Sequence, residues 1–61
     1  MDRQEVIKNL AAMLHKATTT EKQILRNVGP GDDKYSKVIE CLRNAGEELE
    51  AALKLVVFIE D

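Results

Sequence analysis

The chain has 61 residues, a formal net charge of −2, one histidine and one cysteine. A domain of this length buries only about 60% of the surface of its unfolded chain and usually needs disulfides, a metal or a partner. A single cysteine, Cys41, excludes an internal disulfide, and one His and one Cys form no cluster of metal ligands. We therefore expect no metal or other cofactor, and a partner chain as the missing source of stability.

Charge and hydropathy exclude further classes of protein. A dedicated nucleic-acid binder usually has a basic face, which the net charge of −2 argues against. The uncharged apolar run at residues 55–59 is far shorter than the ~20 residues of a membrane span. The first ten residues contain acids and no apolar core, unlike a secretory signal, and a lone thiol suits a reducing compartment. The sequence thus predicts a cytoplasmic protein.

The predicted first helix covers residues 3–28. Asp2 followed three residues later by Glu5 resembles a capping box at its start. The β-branched residues 18–20 lower helix propensity, so a break there is the alternative, but we expect one unbroken helix. Apolar residues at alternating spacings of three and four, interrupted only by Glu21, predict a coiled-coil-like seam. That seam comprises Ile7, Leu10, Leu14, Ala17, Glu21, Ile24 and Val28.

A turn is predicted at residues 29–32, with the sequence Gly-Pro-Gly-Asp. Proline fixes φ and lacks an N–H donor, and glycine permits left-handed backbone. Gly29 is placed to end the first helix, and Asp32 or Asp33 is placed to cap the next one. Because so short a turn forces neighbouring helices to run antiparallel, the segments should form a hairpin.

The predicted second helix covers residues 33–59. A C-terminal strand is the alternative, since residues 56–59 have β character, but a lone strand would have no sheet to join. The sequence therefore predicts an all-α fold, with one antiparallel two-helix hairpin over residues 1–61. Every residue of the second predicted seam is apolar: Tyr35, Val38, Leu42, Ala45, Leu49, Ala52, Val56 and Ile59.

The two halves of the chain differ in charge. Residues 2–28 carry five Lys/Arg and three Asp/Glu, a sum of +2, and residues 31–61 carry four and eight, a sum of −4. Helices of opposite sign attract each other when they pack side by side, although exposed pairs are worth only ~0–1 kcal/mol each.

The sequence has more apolar residues than one seam can cover. Ile39, Gly46 and Leu53 form a row beside the second seam, and the polar face disappears after Leu53. The antiparallel hairpin places this C-terminal stretch next to the start of the first helix, at its open end. A large exposed apolar patch on a small protein usually marks an interface. The predicted partner-binding residues are Val6, Leu10, Met13, Leu49, Leu53, Leu55, Val56, Val57, Phe58 and Ile59.

No arrangement of residues predicts an enzyme. His15 lies outside the seam and should be a solvated surface residue. Cys41 adjoins the seam and should be a half-buried packing residue, because the sequence fixes no basic group beside it. The acidic run at residues 47–50 should form a solvated helix face. The Gly-Pro-Gly turn lacks the Lys-Ser/Thr of a phosphate-binding loop.

The C-terminal half resembles a known family. Residues 49–59, with the sequence LEAALKLVVFI, resemble the C-terminal end of the small co-chaperones of the bacterial type III secretion needle (the YscE, PscE, AscE and EscE group). That family shares a Leu-Glu-small-Ala-aliphatic pattern that continues to an aromatic residue. A Gly-containing turn followed by an acid and a tyrosine, here residues 31–35, also recurs there. The spacing from Tyr35 to Leu49 is about one helical turn longer than in these relatives.

The resemblance implies a function. Members of this family are helical hairpins that bind a second, tetratricopeptide-like chaperone, and the pair keeps the needle subunit monomeric in the bacterial cytoplasm. On this basis we expect a protein-binding co-chaperone with a role in virulence. The alternatives are a homodimeric four-helix bundle that serves as a structural or regulatory module, and the needle subunit itself.

Overall fold

The computed structural model describes residues 2–60 and contains two helices, α1 (Arg3–Asn27) and α2 (Ser36–Val56). The two helices pack against each other, and the predicted all-α helical hairpin is confirmed. Three contacts establish the antiparallel register: Arg3 bonds to Ile59, Leu14 adjoins Gly46, and Glu21 pairs with Arg43. Residues 2–60 contain no β-strand, so the alternative of a C-terminal strand is excluded.

Helix α1 begins where the sequence predicts and is unbroken. The Asp2 carboxylate accepts a hydrogen bond of 2.8 Å from the backbone N–H of Glu5, which satisfies one of the free donors of the first turn. The threonine run does not interrupt the helix. The Thr18 and Thr20 hydroxyls donate to the carbonyls of Leu14 and Lys16, four residues earlier. The hydroxyls are thus satisfied within the helix, and the backbone ladder continues.

The turn between the helices is longer than predicted. The N–H of Asp32 donates to the carbonyl of Gly29 at 3.1 Å, with Pro30 and Gly31 at the two central positions. Gly31 has a φ of +78°, so proline and glycine occupy the positions that a type II turn favours. The left-handed residue is therefore Gly31, whereas Gly29, which we expected to end α1 in that conformation, has no positive φ.

The expectation that Asp32 or Asp33 caps the second helix is wrong. The Asp32 carboxylate accepts instead from the N–H of Lys34, and the carbonyl of Asp33 accepts from the N–H of Ser36. With these hydrogen bonds residues 32–35 form a second turn. Helix α2 therefore begins at Ser36 rather than at residue 33. Tyr35 occupies the N-cap position and makes no side-chain capping bond.

Helix α2 also ends earlier than predicted, at Val56 rather than at residue 59. The N–H groups of Phe58 and Ile59 donate to the carbonyls of Leu55 and Val56, three residues earlier, at 3.1 Å each. Such i→i+3 bonds tighten the end of a helix into a 3₁₀-type turn. Residues 57–59 therefore form a tighter turn directly after α2 instead of extending it as an α-helix.

The seam of α2 is rotated relative to the prediction. The residues that face α1 are half-buried or buried, and they include the row that we had placed beside the seam. Tyr35, Val38, Ala45 and Ile59 belong to the predicted seam but are exposed. Isoleucine and leucine bury more apolar area than alanine, so facing Ile39 and Leu53 towards α1 is the more favourable choice. The observed seam is Ile39, Leu42, Gly46, Leu49, Leu53 and Val56.

Glu21, the polar interruption of the α1 seam, has a partner on α2. Its carboxylate accepts a hydrogen bond of 2.8 Å from Nε of Arg43, and its side chain is 21% exposed. The Arg43 side chain reaches over from the rim and remains 61% exposed. Because one partner is well solvated, the pair contributes at most about 1 kcal/mol. Its structural effect is to let a carboxylate occupy a seam position.

The hairpin covers little of its own surface. Val56, at 5% exposure, is the one buried residue among residues 2–60. The chain exposes 5066 Å², against about 4,000 Å² for a compact protein of its mass. Its radius of gyration is 14.5 Å, whereas a compact chain of this length has about 10.5 Å. The molecule is a rod of 49 × 14 × 12 Å with a seam in place of a core.

Substitutions at Gly46 test how closely α1 and α2 approach each other. A β-carbon at this position would lie 3.6 Å from Cδ1 of Leu14, which is ordinary van der Waals contact. Gly46→Ala should therefore fit and raise the melting temperature by about 3–6 °C, because alanine favours the helix by ~1 kcal/mol. Gly46→Leu should lower it, since the larger side chain must displace Leu14. Thermal unfolding followed by circular dichroism measures both; a drop for Gly46→Ala would contradict this helix spacing.

Candidate protein-binding surface

The most exposed apolar residues of the chain gather at the open end of the hairpin. Phe58 is 82% exposed and Leu55 is 68% exposed, and Val57 and Ile59 beside them are more than half exposed. We call these four residues the C-terminal apolar cluster. Exposure of consecutive aromatic and aliphatic side chains is unfavourable in water, and contiguous patches of this kind commonly mark protein interfaces.

The backbone around this cluster is held by local hydrogen bonds. The 3₁₀-type turn places Val57, Phe58 and Ile59 directly after the last turn of α2, while Val56 is buried in the seam. Three neighbouring residues therefore present their side chains outwards around one buried anchor. The segment is a defined feature of the hairpin, because its carbonyl and N–H groups are engaged with α2 and with α1.

Arg3, at the start of α1, joins the cluster to the rest of the hairpin. Its Nη1 donates to the carbonyl of Ile59 at 2.9 Å and to that of Val57 at 3.5 Å. A cation at the C-terminal end of a helix also interacts favourably with the helix dipole and with its free carbonyls. Arg3 thereby fixes the position of residues 57–59 relative to α1 and adds a positive charge at the edge of the apolar cluster.

The predicted partner-binding residues divide into two groups. Met13 and the four residues of the C-terminal apolar cluster are exposed and available to a partner. Val6, Leu10, Leu49 and Leu53 are half-buried, and Val56 is buried, so these five contribute mainly to the contact between α1 and α2. The exposed part of the predicted binding surface is therefore narrower than the sequence predicts and lies mostly after residue 54.

Exposed apolar residues near the turn lay outside the prediction. Leu25, Tyr35 and Val38 are each more than 40% exposed, and Nζ of Lys34 lies 5.7 Å from the centre of the Tyr35 ring. Tyr35 and Val38 were expected in the seam, and the rotation of α2 brings them to the surface. The clearest signal in the sequence was the competing row of Ile39, Gly46 and Leu53.

The groups that could carry chemistry are dispersed. His15 and the acidic residues of the 47–50 run are exposed, as expected. Cys41 is also exposed, so the expectation of a half-buried packing residue is wrong, because the rotated seam turns it outwards. Within residues 2–60, no three His, Cys, Asp or Glu side chains come together as metal ligands. A shallow concavity beside the start of α1 is wide open to solvent and is lined by Asp2, Gln4, Glu5, Ile7 and Lys8.

Neither α1 nor α2 is long and apolar enough to cross a membrane. Comparison of the chain with protein-family models, with curated proteins and with solved structures gives no match. Function is therefore inferred from the surface of the hairpin and from the resemblance of its C-terminal half.

Arg3→Ala tests the attachment of the C-terminal apolar cluster. Removal of the guanidinium should release residues 57–59 from α1, so hydrogen exchange at the amides of Phe58 and Ile59 should accelerate at least about threefold. Exchange in the middle of α2 should change little, since the carbonyls to which Arg3 donates belong to residues 57 and 59. Arg26→Ala, at the other end of α1, is the matched control. Equal protection of Phe58 and Ile59 in the wild type and in Arg3→Ala would contradict this role.

Proposed function

We propose that the hairpin is a protein-binding co-chaperone of a bacterial type III secretion system. In this role it docks on a tetratricopeptide-like chaperone and helps to keep the needle subunit monomeric in the cytoplasm. The observation that carries the protein-binding part is the C-terminal apolar cluster, held in place at the open end of the hairpin. The identity of the partners rests on the resemblance of residues 49–59 to the needle co-chaperones.

The excess of exposed surface supports a binding function. The chain exposes roughly 1,000 Å² more than a compact protein of its mass. A standard interface buries about 800 Å² on each partner, so one docking event could cover most of that excess. Aromatic residues are enriched at the centres of interfaces, and Phe58 is the largest exposed apolar side chain of the cluster.

The shape of the hairpin suits a concave helical partner. Tetratricopeptide repeats stack helix pairs into a superhelix with an extended concave surface. A rod 14 Å by 12 Å in cross-section is slender enough to enter such a groove with its apolar end first. A partner that binds the folded hairpin and not the unfolded chain would also stabilise the fold. The hairpin needs such stabilisation, because only one of its described residues is buried.

The role towards the needle subunit follows from the same physical logic. A subunit that polymerises through amphipathic helices must have those helices covered before export, and a helical hairpin bound to a second chaperone can supply the cover. The chain would then contribute apolar contacts rather than chemistry. The exposed acidic run of α2 would remain in water and help to keep the complex dispersed.

Two substitutions that add the same carboxylate to exposed apolar positions test the proposal. Phe58→Glu should weaken binding to a purified tetratricopeptide-type chaperone by about 30-fold, as for a central interface residue worth ~2 kcal/mol. Leu25→Glu, close to the turn, is the matched control and should change the affinity less than about twofold. Titration calorimetry with the chaperone, alone and with the needle subunit, measures both. Absence of binding by the wild type, or equal losses in the two variants, would refute the proposal.

A further inference from the structure

One flank of the hairpin carries a second apolar surface that runs along the helices. On each helix every second residue of the seam is preceded in the sequence by a residue of this surface. These preceding residues are seven positions apart, so they lie in a row along one edge of the helix. In an antiparallel pair these two edges face the same direction. We call this surface the apolar flank: Val6, Met13 and Thr20 on α1, with Val38, Ala45 and Ala52 on α2.

The opposite flank has a different character. Its α2 edge contains Arg43 and Glu50, and Arg43 is engaged with Glu21 across the helices. The apolar flank contains no charged residue. The hydroxyl of Thr20, its one polar side chain, donates a hydrogen bond to the carbonyl of Lys16. Met13 and Val38 on it are about half exposed and Ala45 is also exposed, whereas Val6, Thr20 and Ala52 are half-buried at the border of the seam. The two flanks therefore differ mainly on α2, where one edge has no charged residue and the other contains Arg43 and Glu50.

From these features we infer that the apolar flank binds a second copy of the chain. The two hairpins lie side by side with their turns at the same end, and α1 of each copy packs over α2 of the other. The result is a four-helix bundle in which adjacent helices are antiparallel. This pairing is separate from the proposed function, which uses the C-terminal apolar cluster.

The charges of the helices favour this orientation. The segment that contains α1 has a net charge of +2, and the segment that contains α2 has −4. With the turns at the same end, each helix has a neighbour of opposite sign both within its own hairpin and across the dimer. With the turns at opposite ends, α1 would lie over α1 and α2 over α2, so that like charges would face each other.

The heights of the flank residues fit the same arrangement. Arg3 is level with Ile59, Leu14 with Gly46 and Glu21 with Arg43. By this register Met13 lies at a height between those of Ala45 and Ala52. A two-fold axis parallel to the helices preserves height, so Met13 of one copy would enter the gap between the two alanines of the other.

The remaining flank residues follow the same rule. Thr20 lies at a height between those of Val38 and Ala45, and would meet the gap between them in the second copy. Lys16, at the rim of α1, lies level with the part of α2 that contains Glu48, which adds a complementary charge at the edge. Met13 of α1 thus faces the two alanines of α2, which leave space for its longer side chain as a knob in a hole.

The available area is sufficient for such a dimer. Contact along the whole side of the rod, 49 Å long and 14 Å wide with the flank at its centre, would cover about 700 Å² per copy, close to the ~800 Å² per partner of a standard interface. Val6 and Met13 also belong to the predicted partner-binding residues, but Ala45 does not. A substitution at Ala45 therefore tests the dimer without altering the C-terminal apolar cluster.

Sedimentation equilibrium of the full chain, with no other protein present, tests the pairing. The wild type should dimerise, and Ala45→Glu should raise the dissociation constant at least about tenfold, because each interface would bury unpaired carboxylates. Ala51→Glu, on the exposed outer face of α2, is the matched control and should leave the dissociation constant within about twofold. Phe58→Glu should also leave it unchanged, which separates this inference from the proposed function. Circular dichroism establishes that each variant is helical.

Spin labels test the orientation. In a Cys41→Ser/Lys34→Cys variant, each copy carries one label next to the turn. Double electron–electron resonance should place the two labels close together, at the same end of the dimer. A separation near the full 49 Å length of the hairpin would overturn the arrangement. A wild-type chain that remains monomeric, or an Ala45→Glu variant that dimerises as tightly as the wild type, would overturn the inference.

Discussion

The contact between α1 and α2 is the single intramolecular interface of the hairpin, and it determines which side chains are covered. A helix with one neighbour can bury one stripe of its surface, so each additional apolar residue remains in water. Helix α2 has two overlapping apolar stripes, and only one of them can face α1. Because Ile39 and Leu53 face α1, Val38 and Ala45 are left exposed on the apolar flank. The same shortage of partners leaves Phe58 exposed after the seam ends at Val56.

Polar contacts set the register of this seam and hold the C-terminal apolar cluster in its position beside α1. Arg3 holds the C-terminal turn at one end, and the Glu21–Arg43 pair joins the helices in the half of the hairpin nearer the interhelical turn. Each contact is solvent-accessible and therefore contributes little free energy, but each specifies which residues lie at the same height. A one-turn slip along a seam with a regular three-four spacing would retain much of the apolar contact. The polar contacts distinguish the observed register from such a slip.

The fold was largely predictable from the sequence, because periodicity and a Gly-Pro-Gly break act locally. The Asp2 cap and the unbroken threonine run of α1 depend on bonds within four residues, and these predictions are confirmed.

The start of α2 was missed because Asp32 bonds to a turn amide instead of capping, a choice between two local bonds of similar strength. The rotation of α2 was missed because both stripes have the same spacing, and only packing against α1 separates them. The C-terminal apolar cluster was expected in the right place, whereas the apolar flank required the observed rotation.

A hairpin with so little of its apolar surface buried should depend on association for its stability. The central claim is therefore tested most directly by the thermal unfolding of the isolated chain as its concentration is varied. If folding is coupled to the covering of exposed apolar surface, the melting temperature should rise by several degrees over a ~100-fold increase in concentration. Addition of a binding partner should then raise it further. A melting temperature that is high and independent of concentration, for a chain that sediments as a monomer, would contradict this account.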